Sequence, residues 1–518
     1  MRVEKLPFEE VQAFSKLFLD YCTDQNALQP FYAERPTIEG FGSILRRRDF
    51  PASHRETLVR VLKSQYETLD LTEAVERNID LLGSEKTFTV TTGHQLNLFT
   101  GPLYFIYKIA TVVNACVQLK AAYPDHHFVP VYWMASEDHD FEEINHFNLN
   151  GHQYTWETDQ AGPVGRFQTA GMTDFMASLP EKVALFERAY GDHATLAEAC
   201  RCYVNELFGA QGVVVIDGDH SELKAEFTTI IEEEVINQSA RPLVEATNQQ
   251  LIDVGYSSQA FSREINFFYL DGRSRERIVE KDGQFQVRNT HITFSKEDIL
   301  TEIREHPERF SPNVIMRPVY QEVILPNIGY TGGPAEVAYW LQLKGVFDLH
   351  QVSFPVLLPR NFGMIISRNV ARKIHKLEWG LTEVFRKTQE LKAQQLARYG
   401  NDHVLDEDRA AIEGVFGQLK GKATRIDPSL EGYIAAEQSK ALKNLENIQR
   451  KLKKAMESKN EVSMRQIDAI KTSLFPGNGL QERHTNFLTF YLDDPAFIDQ
   501  LLDKFDPFDL RFHVLWQE

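Results

Sequence analysis

The first stretch whose residue types could do chemistry is Thr91–Tyr104, TTGHQLNLFTGPLY. Its His94 can donate to a phosphate or stabilise a leaving group, and neighbouring amides supply neutral hydrogen bonds. Small residues here let the backbone approach a ligand, but neither a Walker loop nor a GxGxxG pattern is present. A polar loop that only caps the next helix is the alternative for His94. The candidate binding residues of this stretch are Gly93, Gln95, Asn97 and Gly101.

A second stretch, Val131–His146 (VYWMASEDHDFEEINH), gathers carboxylates and imidazoles in one run. Such groups at the end of a strand can serve as general acids or bases, or can bind a substrate amine. Histidine and aspartate also bind borderline metals, but adjacent loop residues cannot all converge on one ion. Contacts to an organic substrate are therefore favoured over a metal site or a solvated acidic loop, and no metal is predicted. The candidates are Asp138 and His139 as catalytic residues, with Trp133 and Glu137 as binding residues.

The third stretch is Arg317–Lys344, RPVYQEVILPNIGYTGGPAEVAYWLQLK. Its Gly-Gly-Pro run precedes a predicted helix, whose first N–H groups are available to a ligand. Arg317 can pair with a carboxylate or phosphate in a bidentate manner, and a structural ion pair is an equal alternative. The candidate binding residues here are Arg317, Gln321, Gly332, Gly333 and Glu336.

No nucleophile motif accompanies these three stretches. There is no GxSxG, and none of the four cysteines follows a strand in a convincing turn. The sequence therefore predicts catalysis by positioning and charge stabilisation rather than through a covalent enzyme intermediate.

Buried strands and a helix are expected to bring the three stretches together. Thr87–Val90 and Phe128–Trp133 read as strands, separated by a helix from about Pro102 to Leu119. This βαβ unit predicts a parallel sheet with right-handed connections. Further strands of the same sheet are predicted at Gly212–Ile216, Val356–Leu358 and Met364–Ile366. The predicted fold class is thus α/β, with a Rossmann-like parallel-sheet core, two connecting insertions and a C-terminal helical antiparallel coiled coil.

The predicted organisation divides the chain at changes of pattern. Ile144–Gln168 reads as a small β-meander, and Lys281-Asp282-Gly283 gives a hairpin signal inside a second β-rich insertion. The predicted parts are 1–85, N-terminal helical part packed on the core; 86–143, first part of the core; 144–210, first insertion; 211–260, core continuation; 261–312, second insertion; 313–370, C-terminal part of the core; 371–475, coiled-coil arm; and 476–518, a segment returning to the core.

The late part of the chain has the a/d spacing of a coiled coil. A protruding antiparallel arm that joins two copies as a homodimer is favoured over a bundle folded onto the core. Pro428 marks the turn between the helices. The predicted seam residues are Leu377, Leu381, Val384, Thr388 and Leu391, then Leu442, Leu445, Ile448, Leu452 and Ala455, with Ile412, Val415, Phe416 and Leu419 on a helix between them.

Composition excludes several classes of protein. The 518 residues are 42 % hydrophobic and 25 % charged, which is ordinary for globular proteins, and the formal net charge is −18. An acidic chain is a poor general nucleic-acid binder. The charged N-terminus lacks a signal-peptide core, and Leu103–Leu119 is too short and too interrupted for a membrane span. Together with few cysteines, these features predict a soluble cytoplasmic protein with reduced thiols.

Three runs, GHQLNLFTGPLY, PVYWMASEDHDFEEINH and RPVYQEVILPN…TGGPAE, together resemble the BshC family of cysteine-adding ligases in bacillithiol biosynthesis. The resemblance implies a Rossmann-like core similar to nucleotidylyltransferases, two connecting insertions and a coiled coil that dimerises. It implies a last biosynthetic step that joins the carboxyl of L-cysteine to the glucosamine amine of glucosaminyl-malate. His94 stands where many such folds keep a two-histidine motif, although Gln95 and Leu96 follow it here.

In that interpretation His94 and Gln95 stabilise the activated carboxyl or a phosphate, Asp138 and His139 bind or deprotonate the amine, and Arg317 holds malate or another anion. Because a free carboxylate needs activation, a nucleotide (ATP or ADP) is the suspected cofactor, without a motif to mark it. Two alternatives stay open. One is a non-catalytic nucleotide-binding dimeric scaffold, and the other is a metal-dependent hydrolase that uses the Glu137–Asp140 cluster.

Overall fold

The computed structural model describes residues 1–400 and 404–517. Residues 401–403 of the predicted arm and residue 518 of the predicted C-terminal segment lie outside that description. The chain divides into two units, the first formed by Met1–Met364 with Gly479–Leu515 and the second by Ile365–Asn478 with the last residues. In the part of the chain that the structure describes, no helix is long and apolar enough to cross a membrane.

Strands of the first unit form a central parallel sheet and smaller antiparallel ones. The order of the central sheet is β13-β12-β2-β3-β6, and an antiparallel sheet has the order β10-β9-β8-β7-β11. The strands are β1 (Arg2–Leu6), β2 (Thr87–His94), β3 (His127–Met134), β4 (His146–Leu149), β5 (His152–Thr155), β6 (Val214–Asp217), β7 (Phe267–Asp271), β8 (Ser274–Lys281), β9 (Gln284–Val287), β10 (Thr293–Phe294), β11 (Phe310–Pro312), β12 (Asn327–Gly332), β13 (Val356–Pro359), β14 (Phe362–Ile366) and β15 (Phe512–Trp516).

The helices of the first unit cover the central sheet and fill the connections. They are α1 (Phe8–Val11), α2 (Lys16–Cys22), α3 (Ile38–Arg47), α4 (Ala52–Gln65), α5 (Glu73–Leu81), α6 (Tyr104–Ala122), α7 (Phe141–Ile144), α8 (Met172–Ala177), α9 (Ala184–Asp192), α10 (Leu196–Phe208), α11 (Ser221–Ala225), α12 (Thr228–Asn237), α13 (Ala240–Asp253), α14 (Lys296–Glu305), α15 (Arg317–Ile324), α16 (Pro334–Trp340) and α17 (Lys344–Leu349). Those of the second unit are α18 (Arg368–Lys376), α19 (Thr388–Ala397), α20 (Asp406–Ile426), α21 (Leu430–Lys459) and α22 (Glu461–Leu474), and α23 (Leu488–Tyr491) and α24 (Phe497–Lys504) complete the first unit.

The central sheet confirms the predicted parallel Rossmann-like core. β2 pairs in parallel with β3 along its whole length and with β12 on its other side. β2 is buried on both faces although four of its residues are threonines, and buried hydroxyls need hydrogen-bond partners within the protein. The buried hydroxyls of Thr89 and Thr91 both donate to the Asn327 side-chain oxygen, at 3.0 and 2.9 Å. The carboxyl ends of β2, β3 and β12 therefore lie side by side at one edge.

An apolar core lies between one face of this sheet and helices α3 and α6. Its buried members include Phe41, Ile44, Phe88, Val90, Val112, Leu119, Ile328, Val356 and Leu358. Gly329 of β12 is required there, because a Cβ at this position would lie 2.4 Å from the Phe41 ring.

One prediction about strands is wrong. Met364–Ile366 belongs to β14, which joins a separate sheet of order β1-β15-β14 instead of closing the central one. The central sheet instead contains β12, which was not predicted because its sequence NIGYTG carries two glycines and lacks the usual strand pattern. The N-terminal part is mostly helical as predicted, with the short strand β1 before α1.

The two insertions differ in how well their patterns predicted them. The expected meander at Ile144–Gln168 is a single hairpin, β4 and β5, followed by irregular chain. The second insertion is an antiparallel sheet, and its turn is the one predicted. Lys281 pairs with Gln284, while Asp282 and Gly283 have φ of +54° and +75°, as a two-residue turn with positive φ requires.

The second unit contains the predicted helical hairpin. Arg409 of α20 pairs with Glu446 of α21 at 3.2 Å, and Lys420 pairs with Glu431 at 2.8 Å, so the two helices run antiparallel. The turn between them contains Pro428. The predicted seam from Leu377 to Leu391 is wrong as a single helix, because α18 ends at Lys376 and α19 begins at Thr388. Leu377, Leu381 and Val384 lie in the connection between these two helices, which both pack on α22.

Candidate active site

The carboxyl ends of β2, β3 and β12 open into a cavity of about 380 Å³, here called the main cavity. All three stretches singled out from the sequence contribute to its wall. The lining residues include Gly93, His94, Gln95, Tyr104, Trp133, Asp138, Arg317, Tyr330, Gly333, Glu336 and Tyr339 from those stretches, with Lys108, Arg360 and Arg483 from elsewhere.

The other candidates lie around this cavity rather than in its wall. Glu137 lines a neighbouring cavity, and Asn97 lines a smaller one beside Tyr104 and Arg483. Gln321 supports Arg317 from behind, since its side-chain oxygen accepts a hydrogen bond from Arg317 Nη1 at 3.0 Å. Gly101, Gly332 and His139 are not among the described residues that line the main cavity.

His94 sits at the end of β2 as a neutral imidazole. Its Nδ1 lies 3.1 Å from the Gln95 carbonyl oxygen, and because a carbonyl only accepts, Nδ1 carries the proton. The ring stacks on Tyr104, with centroids 5.1 Å apart. Burial and the nearby Lys108 ammonium lower the pKa of His94 to about 3. Nε2 is therefore a hydrogen-bond acceptor, whereas the sequence interpretation gave His94 a donor role.

A buried ion pair forms the floor of the cavity. Lys108 Nζ lies 2.7 Å from Glu336 Oε2 and donates to the Gly93 carbonyl at 2.8 Å. Burial opposes the charged form of Glu336, but Lys108 and the hydrogen bonds outweigh it and lower the pKa of that carboxyl. The Gly333 N–H already donates to Glu336 at 2.8 Å, so this backbone group is occupied within the protein.

Asp138 joins the first two stretches. Gln95 Nε2 donates to Asp138 Oδ2 at 2.7 Å and to Glu143 at 2.8 Å. Asp138 Oδ1 accepts from the backbone N–H of His139 at 2.8 Å. These contacts fix the carboxylate at the cavity wall.

The neighbouring acidic and imidazole groups are less available. Arg275 Nη1 lies 3.1 Å from His139 Nδ1, and because a guanidinium only donates, His139 carries its proton on Nε2. Glu137 forms an ion pair with the fully buried Lys224, whose ammonium also donates to the Phe310 carbonyl at 2.7 Å. Within the described residues, no group of three or more His, Cys, Asp or Glu side chains converges as metal ligands would.

The main cavity is also lined by the cationic side chain of Arg317. The Arg317 guanidinium lies between the rings of Trp133 and Tyr330, at 5.8 and 5.6 Å. Its hydrogen-bond partners are neutral, and in the described chain it has no carboxylate at ion-pair distance. Of the two alternatives left open for Arg317, this geometry fits a ligand clamp better than a structural ion pair.

Several cavity residues escaped the sequence analysis. Lys108 had a signal, because it interrupts an otherwise apolar helix and a buried lysine needs a partner. Arg360 is buried and pairs with Glu482 at 2.5 Å, and Arg483 lies against the face of Tyr104 at 5.9 Å. Arg360 and Arg483 lie in segments without a recognisable motif. Arg483 reaches the cavity because the C-terminal segment folds back onto the first unit.

Comparison with known proteins covers nearly the whole chain. The family model described as Bacillithiol biosynthesis BshC, N-terminal Rossmann-like domain, matches residues 1–361, and the BshC C-terminal coiled-coil domain matches 363–517. The chain belongs to the BshC family. The match confirms the predicted resemblance, the Rossmann-like core and the coiled coil.

Curated BshC proteins from several bacteria are similar over their full length, each under the name "Putative cysteine ligase BshC". The protein from Cytophaga hutchinsonii is 42 % identical over 506 residues, which cover 98 % of this chain and 97 % of that protein. The one from Flavobacterium psychrophilum is 39 % identical, covering 99 % of each chain. The one from Shouchella clausii is 29 % identical, covering 98 % of each.

Proposed function

We propose that this BshC protein is a cytoplasmic amide-forming ligase that joins the carboxyl group of L-cysteine to the amine of glucosaminyl-malate, the last step of bacillithiol biosynthesis. The observation that carries the proposal is the main cavity. It combines a held carboxylate, Asp138, a neutral acceptor, His94, and an unpaired guanidinium, Arg317, at the ligand-binding edge of the sheet. Membership of a family whose curated members bear a cysteine-ligase name supports the reaction class.

Asp138 and His94 have different tasks in this proposal. An amine substrate enters as an ammonium ion and must lose protons to attack a carboxyl carbon. The Asp138 carboxylate is its counter-ion and accepts a proton, while His94 Nε2 accepts a hydrogen bond from the amine and orients it. A histidine whose pKa is about 3 stays neutral, so it does not repel the ammonium.

The arginines that line the main cavity fit a polyphosphate. Arg317 and Arg483 have no acidic partner at ion-pair distance among the described residues, and guanidinium groups suit bidentate phosphate contacts. They are the residues that would hold a nucleotide. When bound, a nucleoside triphosphate supplies the activation that a free carboxylate needs. Lys108 and Arg360 are neutralised by Glu336 and Glu482, which leaves their role structural.

The direct test incubates the purified protein with glucosaminyl-malate, cysteine and ATP, and follows thiol product and nucleotide by mass spectrometry. We expect product only when all three are present.

Asp138→Asn is expected to lower the rate by about 10²–10⁴-fold, the range for loss of a general base. An exposed acidic residue, Asp282, provides the control variant Asp282→Asn. Wild-type rates in the Asp138→Asn variant would remove Asp138 from the mechanism, and unchanged substrates with ATP turnover absent would contradict the ligase assignment.

The second candidate, a nucleotide-binding dimeric scaffold, has one observation in its favour. The hairpin of α20 and α21 keeps large apolar side chains exposed, including Val415 and Tyr433. We propose that this surface pairs two copies of the chain, whether or not they catalyse. The scaffold predicts nucleotide binding without product in the same assay. The hydrolase alternative gains no observation, because Glu137 is held by Lys224.

A further inference from the structure

A second cavity, of about 480 Å³, adjoins the main one and is here called the annex. The two share the wall formed by Trp133, Ala135, Asp138, Val314 and Arg317. Most of the remaining wall comes from the second insertion, chiefly β7, β8 and the segment before them, and Met134, Ser136 and Glu137 at the end of β3 complete it. The chemistry proposed for the main cavity uses none of these insertion residues.

The annex carries positive charge that the protein does not neutralise. Arg263 and Arg277 line it, and among the described residues neither has a carboxylate at ion-pair distance. Burial lowers the pKa of Arg277, the charges of Arg263 and Arg288 lower it further, and the Glu264 carboxylate opposes the shift. Because the chain has a net charge of −18, this local positive charge has the sign opposite to the net charge of the chain.

The acids near the annex already have partners within the protein. Glu137 pairs with Lys224, and Glu264 lies 3.3 Å from Arg241. Asp138 accepts a hydrogen bond from Gln95 and lies 3.9 Å from Arg275, so it neutralises a different arginine of the annex. Arg263 is exposed and Arg277 is partly exposed, so both guanidinium groups are accessible to an anion from outside the chain, and a guanidinium pair suits carboxylates held in a bidentate manner.

The annex also has a rigid aromatic side. Arg275 is fixed by Ser311 at 3.0 Å and by the Pro312 carbonyl at 3.2 Å, and it stacks 4.0 Å from the Phe268 ring. Phe261, at the rim, is 70 % exposed, which is unusual for phenylalanine. Flat aromatic faces beside hydrogen-bond donors suit the C–H face of a sugar ring.

We propose that the annex binds the dicarboxylate end of the amine substrate, with Arg263 and Arg277 pairing the malyl carboxylates and Phe268 and Phe261 covering the sugar. The inference rests on the proposed function, since it assigns one of its two substrates to a cavity. Arg317, which faces both cavities, marks the passage between them. A sugar held this way projects its amine toward Asp138, and the main cavity is left for cysteine and the nucleotide.

Binding without turnover is the first test. Calorimetric titration of the full chain with glucosaminyl-malate, and separately with L-malate, needs neither cysteine nor ATP. We expect Arg277→Ala and Arg263→Ala each to weaken binding of glucosaminyl-malate by about ten- to a hundredfold, the effect of one charged hydrogen bond. Arg277→Lys keeps part of the affinity. Arg273→Ala, at the exposed turn between β7 and β8, is the matched control and leaves affinity unchanged.

Steady-state kinetics then separates this inference from the ligase assignment. The annex variants are expected to raise KM for glucosaminyl-malate and to leave KM for cysteine unchanged. If malate binding depends on these arginines but no amide product forms, the assignment of the annex is supported and the assignment of the protein as a ligase is wrong. If Arg263→Ala/Arg277→Ala forms amide product with unchanged KM and unchanged affinity for glucosaminyl-malate, the ligase assignment is supported and the assignment of the annex is wrong. If titration with ATP or inorganic phosphate, instead of malate, is the binding that Arg277→Ala abolishes, the dicarboxylate assignment is wrong.

Discussion

At the scale of single residues, burial rather than residue type decides what the cavity side chains can do. The sequence placed His94 after the first core strand, but its tautomer depends on the Gln95 carbonyl and its charge depends on Lys108. Glu137 and Asp138 are neighbours in the sequence, yet one is neutralised by Lys224 and the other faces the cavity. Spacing alone could predict which residues approach the site, but not which of them remain free.

The low pKa of His94 makes stability depend on pH. Its folded pKa of about 3 lies below the ordinary value of 6.5, so the unfolded chain binds a proton first as the pH falls. This contribution to stability is complete above pH 6.5 and is lost between pH 6.5 and 3. At pH 5 the wild type should have lost about 2 kcal/mol more than His94→Gln, relative to pH 8. Urea unfolding measures this, and equal losses in the two proteins would contradict it; the exposed His152→Gln is the control.

The Lys108–Glu336 pair predicts a large asymmetric effect on stability. Lys108→Met leaves a buried carboxylate without its cation, and we expect a loss of about 3–5 kcal/mol in the free energy of unfolding. Lys108→Met/Glu336→Gln should recover part of the loss because no buried charge then remains. Lys440→Met, which breaks an exposed pair with Glu437, should leave denaturant midpoints unchanged. A double variant no better than the single one would argue against the pair as the cause.

At the scale of elements, the turn after β2 is held in an unusual shape. Phe99, Thr100 and Gly101 have φ of +52°, +69° and +62°, a backbone region that residues other than glycine rarely adopt. The Asn486 side-chain amide donates to the Phe99 and Gly101 carbonyls at 2.7 and 2.6 Å. This turn carries the chain from β2 into α6, so it positions Tyr104 and Lys108. Gly101, predicted as a binding residue, has its place in this turn.

Gly101→Ala therefore tests the turn. The new Cβ would lie 2.7 Å from the Asn97 Cβ in addition to the unfavourable φ. We expect a loss of about 1–3 kcal/mol in the free energy of unfolding. Gly272→Ala is the matched control, because its φ is +54° and nothing lies within 4 Å of its Cβ. The difference between the two variants isolates the clash, and equal losses would show that Asn97 moves aside without cost.

The elements that the sequence predicted are those with long apolar runs. β3 and α6 were predicted close to their observed bounds, because both contain long apolar runs, whereas β2 was predicted four residues short, because its second half, Thr91–His94, lacks an apolar run. β12 was not predicted, because its Gly329 weakens the strand pattern. That glycine allows close packing against Phe41, a contact that the local sequence does not reveal. The contact between Asn486 and the turn spans 387 positions, a separation at which spacing carries no signal.

At the scale of the whole molecule, the net charge of −18 hides a local reversal. In the acidic run after β3, Glu137 is neutralised by Lys224, and Asp138 lines both cavities. The two cavities also hold Arg263, Arg277 and Arg317 without acidic partners among the described residues. These arginines favour small anions as ligands, beside the amine that Asp138 is proposed to bind.

The remaining prediction at this scale is the proposed association of two copies through the α20–α21 hairpin. Val415, Ile426 and Tyr433 are 56, 82 and 62 % exposed, and covering one such apolar side chain contributes about 1.5–3 kcal/mol. If two copies pair here, Val415→Glu/Ile426→Glu should raise the dimer Kd by at least about a hundredfold. Sedimentation equilibrium measures this, circular dichroism checks that the helices persist, and Lys454→Glu controls for altered charge. A dimer that survives the double variant must use another surface, and a wild-type monomer at micromolar concentration would end the dimer proposal.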